Sequence, residues 1–408
     1  MTDPSTTSAK HPGLGAGRRL RIGIDAHVVG RRQTGNERVL VNLIPALQRV
    51  TDHDIVAYFT LPEAAEAWRR KRLPRVEVRM LRPTFAPLRI LLSLPILAVR
   101  DRLDVLLSHS NSPPLAPCPV VTLIHDVAFA RHPEHFSAYR RSYMNLTMPA
   151  SMRWSDGLVV VSRFTRDEVV DLYRIPPERI TIALNGVDAT LVHPSAPPLV
   201  DPPYFLAAGV LDPRKNLVTV VRAYRELVAR RPDVTARLVI VGKAGRDAEP
   251  LRRMTEDLRR SGRIVLPGYV SDEHLAALLV RASAFVYPSV YEGFGLPPLE
   301  AMAAGVPTLV ADIPVMREVV GDAAVRIAAT DVEAWSRALE RIVDDTDHRR
   351  ALIEAGGRRS STFTWDAQAR TIAEALERAV ARGRRRPGWR RSGGISTRRG
   401  GTAGAGSS

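Results

Sequence analysis

The stretch YPSVYEGFGLPPLE, residues 287–300, carries the strongest local signal in this chain. It predicts a strand that runs into a loop containing Gly293 and Gly295, followed by a helix with prolines in its first turn. Glycines let backbone N–H groups approach a ligand closely, and the N-terminus of a helix favours an anion. The stretch therefore predicts a turn that can hold a phosphate.

Two acids flank this turn. Glu292 precedes the glycines, and Glu300 stands one turn into the helix. A carboxylate only accepts hydrogen bonds, so an acid beside a diphosphate is repelled unless it accepts from sugar hydroxyls. This predicts a ribose for one acid and a second sugar for the other. The alternative is that Glu300 is an ordinary first-turn acid favoured by the helix dipole and Glu292 an ordinary loop acid.

Around this turn, short β-branched apolar runs alternate with segments of helical periodicity, which is typical of parallel α/β units. A proline-rich break at 193–203 predicts a linker between two such units. The fold class expected is α/β, with two Rossmann-like doubly wound domains facing each other across a cleft. The strands are predicted at 20–25, 54–60, 76–80, 104–109, 120–125, 157–162 and 180–184, and then at 204–210, 237–241, 264–267, 284–288, 308–311 and 323–327.

The pattern divides the chain into five parts. A disordered leader is predicted at 1–19, a first domain at 20–195 and a second domain at 196–364. A closing helix at 365–381 is expected to cross back to the first domain, and a disordered basic tail is predicted at 382–408. The formal net charge is +16, and the tail supplies half of it with eight arginines and no acid.

Composition excludes several classes of protein. The single cysteine, Cys118, cannot form an internal disulfide or build a cysteine-based metal cluster. Residues 1–19 hold no apolar segment of the secretory kind, so a cytoplasmic location is expected. Nucleic-acid binding is disfavoured, because no recognition motif appears and much of the basic excess lies in the tail.

The most apolar segment, residues 88–99, is too short for a membrane span and contains Arg89 and Pro95. It is predicted either as a helix of the core and domain surface or as one that touches a bilayer interface.

Chemistry-bearing side chains follow several predicted strands. Arg214 and Lys215 come after the first strand of the second domain, where they can neutralise a diphosphate without a metal, and Asn216 is predicted to cap the next helix. In the first domain, His125 and Asp126 end an apolar strand, with His109 a candidate neighbour. The alternatives are exposed basic residues before a surface helix and a structural histidine.

Taken together, these segments resemble family 4 of the retaining glycosyltransferases, which have the GT-B fold. Residues 292–300 look like the EX7E motif of that family. The supporting motifs are NGVD at 185–188, GVLDPRKN at 209–216, LVIVGK at 238–243, LPGYVSDEHLAALL at 266–279 and AMAAGVPTLVAD at 301–312. The likeness covers roughly residues 20–380.

The resemblance implies a set of roles. Glu300 would bind the nucleotide ribose, Glu292 the hydroxyls of the donor sugar, and Arg214 with Lys215 the diphosphate. His125, with Asp126 beside it, would lie at the donor sugar. The remaining donor contacts would come from the backbone of Gly293, Phe294, Gly295 and Leu296, from Val270 near the base, and from the loop that contains Gly35.

The resemblance also implies a reaction. GDP-mannose is the first expectation for the donor and a UDP-sugar the second, with a glycan or lipid-linked saccharide as acceptor and an anionic membrane face as a site of peripheral association. Neither a cofactor nor a metal is expected. Val210 and the run Gly35-Asn36-Glu37 depart from the family pattern, which weakens the analogy for the first loop. A non-catalytic sugar-nucleotide sensor and a nucleotide-sugar epimerase stay open as alternatives.

Overall fold

The computed structural model describes residues 18–31, 34–187, 196–197 and 199–383. Nearly all of the predicted leader and tail, and part of the predicted linker, lie outside these residues. Within the described ranges, every helix is too short or too polar to cross a membrane.

The first domain is built on a seven-stranded sheet, and all of its strand pairs are parallel. The strand order is β3-β2-β1-β4-β5-β6-β7, so the chain winds outward in both directions from β1. The inner strands β4 and β5 are fully buried because helices cover both faces of the sheet, whereas the edge strands β3 and β7 are only partly buried. They are β1 Arg21–Asp25, β2 Asp54–Phe59, β3 Val76–Met80, β4 Val105–His109, β5 Val120–Ile124, β6 Gly157–Val160 and β7 Ile180–Ile182.

The second domain repeats this plan with six parallel strands in the order β10-β9-β8-β11-β12-β13. In such sheets ligands collect at the carboxyl ends of the strands, where the order reverses. Here that point lies between β8 and β11. The strands are β8 Tyr204–Ala208, β9 Arg237–Val241, β10 Ile264–Gly268, β11 Ala284–Tyr287, β12 Thr308–Ala311 and β13 Val325–Ile327.

Helices connect the strands and cover both sheets. In the first domain they are α1 Thr34–Val50, α2 Pro62–Arg70, α3 Ala86–Leu88, α4 Leu94–Arg100, α5 Ala128–Arg131, α6 Ala138–Trp154 and α7 Arg163–Tyr173. In the second they are α8 Leu217–Arg230, α9 Ala248–Met254, α10 Glu256–Arg260, α11 Asp272–Leu279, α12 Leu296–Ala303, α13 Pro314–Val319, α14 Val332–Asp344 and α15 Thr346–Ser360.

The last helix, α16 at Trp365–Gly383, crosses back and packs on α1 and on strands β4 to β7 of the first sheet. Ile372, Leu376 and Val380 are buried there. The expected return of the carboxyl-terminal helix is therefore present, and the helix ends two residues after its predicted end at 381.

The apolar segment at 88–99 lies in a helical stretch at the surface of the first domain. Between α3 and α4 the helix widens into a π turn at Arg89–Ser93. Leu94 and Leu97 are buried in the core, whereas Leu92 is 53% and Ile96 is 63% exposed. The segment therefore both contributes to the core and presents an apolar face to solvent.

Candidate functional site

The two domains meet where the loop after β11 contacts the end of β5. A Cβ on Gly293 would lie 1.8 Å from the carbonyl oxygen of His125, so only glycine allows this approach. The Gly293 carbonyl accepts hydrogen bonds from Ser162 Oγ at 2.7 Å and Thr165 Oγ1 at 3.1 Å. These contacts bring the carboxyl ends of both sheets to one cleft.

Glu292 is at the centre of the second domain's side of this cleft. Its Oε1 atom accepts hydrogen bonds from Ser289 Oγ at 2.6 Å, from the Tyr287 hydroxyl at 2.9 Å and from Lys215 Nζ. Burial alone would raise the pKa of Glu292, but the attraction of Arg214 and Lys215 outweighs it and lowers the pKa to about 2. The carboxylate is therefore ionised at neutral pH.

Arg214 and Lys215 are the two cations of this cluster. Arg214 Nη1 lies 3.1 Å from Glu292 Oε1 and donates to the Tyr291 carbonyl at 2.6 Å. Lys215 Nζ lies 4.8 Å from the centre of the Tyr287 ring and 2.7 Å from its hydroxyl. Glu292 raises the pKa of Arg214, whereas burial lowers the pKa of Lys215. The predicted basic pair and the predicted acid thus form one ionic cluster.

The prediction for Asn216 is only half right. Asn216 occupies the residue before α8, but its side chain does not cap that helix. Its Nδ2 atom instead donates to the Ala329 carbonyl at 2.7 Å, and its backbone is left-handed, with φ of 51°. The residue ties the turn that carries Arg214 and Lys215 to the neighbouring loop after β13.

The predicted glycine turn before a proline-started helix is present. Gly295 has φ of +97° and directly precedes α12, whose first turn holds Pro297 and Pro298. The side chains of Phe294 and Leu296 are buried, and the Phe294 ring packs on Phe363 at 5.9 Å. The backbone of these two residues, rather than their side chains, is therefore free to contact a ligand, which is compatible with the contact that the resemblance implies.

Glu300 is buried in α12 and hydrogen-bonded to Arg38 of α1 in the first domain. Arg38 also lies 3.4 Å from Asp272. Gly35 occupies the first turn of α1, in open space, one turn before Arg38. The N-terminal turn of α1 consequently faces the helix that carries the second acid of the motif.

The first domain contributes a pair of buried histidines. His109 Nε2 and His125 Nε2 are 2.9 Å apart, so one nitrogen must donate a proton and the other accept it. Burial lowers the pKa of His125 to about 4 and also lowers that of His109. Both imidazoles are therefore neutral at neutral pH.

Asp126 and Val270 are the other two predicted donor contacts. Asp126 Oδ1 accepts a hydrogen bond from the Ala128 backbone at 3.0 Å, so the aspartate closes the turn before α5. Val270 follows β10 at the carboxyl edge of the second sheet and is partly buried. The roles given to these residues stay predictions.

Sequence reasoning missed Arg38 and the polar partners of Glu292. A basic residue in the second turn of the helix that follows β1 is a usable signal for Arg38. Tyr287 and Ser289 belong to the quoted stretch, where alternation along a strand and its extension points them towards one face.

The aspartates of the sequence Asp345-Thr346-Asp347 lie at the start of α15, where Asp345 caps the helix by accepting a hydrogen bond from the His348 backbone N–H at 2.8 Å.

Family models cover most of the chain in two adjoining parts. Residues 34–191 match the model described as Glycosyltransferase Family 4, and residues 192–359 match Glycosyl transferases group 1. The O-antigen chain mannosyltransferase B of Escherichia coli is 32% identical over 256 residues, which are 60% of this chain and 67% of that protein. The chain belongs to glycosyltransferase family 4.

A further relative and two solved structures are also similar to this family 4 glycosyltransferase. The O-antigen chain mannosyltransferase RfbU of Salmonella typhimurium is 28% identical, over 54% of this chain and 59% of its own length. Among solved structures, the sucrose-phosphate synthase of Thermosynechococcus elongatus has a TM-score of 0.69 at 17% identity, covering 89% of this chain and 100% of its own. HepE of Anabaena in complex with UDP-glucose has a TM-score of 0.67 at 16% identity, covering 88% and 100%. These likenesses show the GT-B fold.

Proposed function

We propose that this glycosyltransferase transfers mannose from GDP-mannose, with retention of configuration, to a glycan or lipid-linked saccharide of the cell surface. Two observations favour mannose: the mannosyltransferase names of the E. coli and Salmonella relatives, and the PRKN sequence that ends in Asn216. UDP-sugars are the second choice for the donor.

The observation that carries the proposal is the ionic cluster at the start of α12. Glu292 is held ionised and can accept hydrogen bonds from sugar hydroxyls, while Arg214 and Lys215 lie within reach of the same point. The backbone N–H groups at the N-terminus of α12 add positive potential. A sugar and a diphosphate thus each meet groups of matching chemistry.

The chemistry we propose is a front-face transfer. The bond between the anomeric carbon and the diphosphate oxygen breaks, and the acceptor oxygen forms its bond to the same face of that carbon. The leaving diphosphate takes the proton of the acceptor hydroxyl. Arg214, Lys215 and the N-terminus of α12 stabilise the negative charge that develops on the diphosphate, which is worth most in a cleft closed to water. This scheme requires no metal.

Histidine 125 would lie on the opposite side of the sugar. One proton lies between the Nε2 atoms of His109 and His125, so one of these atoms donates and the other accepts. Since a neutral imidazole carries a single N–H, the direction of this hydrogen bond decides whether Nδ1 of each ring is an acceptor or a donor. His125 can then offer Nδ1 either as a hydrogen-bond donor or as an acceptor to a sugar hydroxyl, depending on the direction of that shared bond.

The donor is tested by mixing the protein with GDP-mannose, UDP-glucose, UDP-galactose or UDP-GlcNAc and following the anomeric signals by NMR. Binding and slow hydrolysis of GDP-mannose, with the released sugar first appearing as the α anomer, would support the proposal. Preference for a UDP-sugar would change the donor but not the reaction. Binding of every donor without any release, even with acceptor glycans present, would instead favour a sensor.

We further propose that the apolar face at residues 85–99 brings the enzyme to an anionic membrane surface. Phe85, Leu91, Leu92 and Ile96 are each about half exposed or more on this face. Apolar side chains inserted at the interface bind anionic lipid in combination with basic residues. The eight arginines of residues 382–408 supply the basic residues here. The lipid-linked acceptor would then be near the cleft.

Flotation with vesicles of neutral lipid, or of neutral lipid mixed with an anionic phospholipid, tests this association. We expect binding to anionic vesicles that falls in the double variant Leu92→Glu, Ile96→Glu and in a chain ending at Gly383. A control pair on the second domain, Ile353→Glu with Tyr269→Glu, should bind as the wild type does. Equal binding by all four proteins would contradict the proposal.

A further inference from the structure

A cluster of metal-ligating side chains lies in the loop between α5 and α6, outside the ionic cluster of the donor site. The loop contains the sequence HPEH at residues 132–135. The ligand atoms of His132, Glu134 and His135 all lie within 4.8 Å of one another. Within the described ranges, no other group of three or more histidine, cysteine or acidic residues comes this close.

The spacing inside this cluster fits a tetrahedral ion. His132 Nδ1 is 3.2 Å and His135 Nε2 is 3.5 Å from the same oxygen, Glu134 Oε1. Zinc binds imidazole nitrogen and carboxylate oxygen at about 2.0–2.2 Å, which places neighbouring ligand atoms of a tetrahedral site roughly 3.4 Å apart. Two edges of the tetrahedron therefore already have about this length, and the remaining pair of ligand atoms lies within 4.8 Å.

The local backbone explains why the three side chains converge. Pro133 fixes the start of a short 3-10 turn at Pro133–His135, and the backbone N–H of His135 donates to the His132 carbonyl at 3.0 Å. Three residues complete one turn of such a helix, so His132 and His135 lie on the same side. Their rings stack with centres 5.6 Å apart.

The loop is also held against the second domain. The His132 ring packs on Tyr291 at 5.1 Å, and Arg246 Nη1 donates to the Glu134 carbonyl at 2.8 Å. His132 lines a cavity of about 320 Å³ together with Tyr291 and Glu292. An ion in the loop would therefore lie next to the cleft without replacing any group of the ionic cluster.

We propose that His132, Glu134 and His135 bind one divalent transition-metal ion, zinc being the best match. Two imidazoles and one carboxylate are the donor set of borderline metals and suit zinc better than magnesium or calcium. Water completes the fourth position. The ion fixes the loop at the edge of the cleft, and the proposed transfer reaction stays independent of it.

Metal binding is measured on the full chain, made without a histidine tag and stripped with EDTA. Zinc chloride is titrated in competition with a chromogenic chelator, and cobalt chloride is titrated separately for its visible absorption, which is strong only at low coordination number. We expect one zinc ion per chain, an intense cobalt spectrum, and a melting temperature that rises with zinc concentration.

Three variants decide the assignment. His132→Ala and His135→Ala each remove a ligand, and Glu134→Gln removes its charge while keeping the shape of the side chain. Because loss of a group that only supports a ligand costs 10–100-fold in affinity, we expect each variant to bind zinc about 100-fold more weakly or worse. The control variant His274→Ala, with His348→Ala, removes two histidines elsewhere and should bind normally.

Melting curves of the metal-free variants show whether they fold. If wild type binds no zinc in a saturable manner, or if the three variants bind it as well as the control does, the assignment is wrong and the contacts are imidazole–carboxylate hydrogen bonds. Because zinc titration needs no sugar nucleotide, its failure is distinct from failure of the donor assay. Full activity after EDTA treatment would agree with the role given to the ion, whereas loss of activity restored by zinc would contradict it.

Discussion

The two sides of the cleft carry different kinds of polar side chain. The second domain places fixed charges there, with Glu292 ionised between Arg214 and Lys215. The first domain places two neutral imidazoles, since burial lowers the pKa of both His109 and His125. The second domain thus offers two cations and an ionised carboxylate to the cleft, and the first domain offers imidazoles that stay neutral.

This difference indicates a separate role for each side of the cleft in the proposed transfer. In the proposed transfer, the cations would hold the leaving diphosphate and stabilise the charge that develops on it, whereas the neutral imidazoles would help to position the sugar without attracting the phosphate. Each side can be altered separately, because the ionic cluster and the histidine pair share no hydrogen bond in the described residues.

Lys215→Ala should have the largest effect, because it removes a cation from the charged side. We expect the rate of transfer to fall about 100- to 1,000-fold, as when one charge-stabilising donor is lost. Most of the loss should be in kcat, measured with saturating donor. The control Lys71→Ala removes a lysine that lies over Trp68, outside the cleft. Near-normal turnover by Lys215→Ala would remove this lysine from the mechanism.

On the neutral side, acid should act through the histidines. The unfolded chain takes up a proton at His125 near pH 6.5, whereas the folded chain resists it until about pH 4. Because the unfolded state binds more protons between these values, stability present above pH 6.5 is lost as the pH falls towards 4. The shift corresponds to about 3 kcal/mol for this group.

Chemical denaturation at several pH values checks this. His125→Gln should be markedly less sensitive to acid between pH 6.5 and 4, while the control His274→Gln should follow the wild type. A Gln variant as acid-sensitive as the wild type would show that His125 is not the group responsible. Transfer itself should not depend on protonation of His125 above about pH 5, because the histidine is already neutral there.

Glu300→Gln should have a smaller effect, since it keeps the shape of the side chain but removes its charge. A hydrogen bond to a charged group is worth about 1.5–3 kcal/mol, so we expect the KM for the donor to rise about 10-fold or more, with kcat little changed. Initial rates at varied donor concentration measure the split. A fall in kcat at unchanged KM would contradict a role in holding the ribose.

Ser162→Ala tests the contact between the two domains and should have the smallest effect. Ser162 caps α7 by accepting from the Thr165 backbone at 2.9 Å, and it donates to Gly293 across the domain boundary. Loss of the cap and of this bond should cost about 1–2 kcal/mol of stability. Thr219→Ala, in the first turn of α8, is the matched control. A large loss of transfer at unchanged melting temperature would show that this bond sets the closed arrangement.

Sequence predicted the second side of the cleft better than the first. Residues 287–300 combine a strand, a glycine turn and a proline-started helix within one contiguous stretch, so local rules fix their geometry. Arg38 and Glu300 are 262 positions apart, and no local rule pairs them. The identity of the pair depends on how the two domains dock, which is set by packing over the whole interface.

The same limit explains why the side-chain partner of Asn216 was not predicted. The sequence places Asn216 at a helix start, but it cannot say which of several nearby backbone groups its side chain will bond. Asn216 bonds Ala329, from the far end of the second sheet, and Asp126 bonds Ala128 in its own turn. All thirteen strands are predicted, with ends that differ by at most two residues, because each is a short run with β-branched or other apolar residues set between helical segments.

Helix α16 gives the molecule an unusual order of assembly. During synthesis the first sheet leaves the ribosome long before the helix that covers part of it, because β7 ends at Ile182 and α16 begins at Trp365. Domains generally fold as they emerge, amino-terminal end first. Here the surface that receives Ile372, Leu376 and Val380 stays open until residue 383 has been made. The second domain can therefore finish folding before the first, and a nascent chain halted between them would present an apolar surface to chaperones.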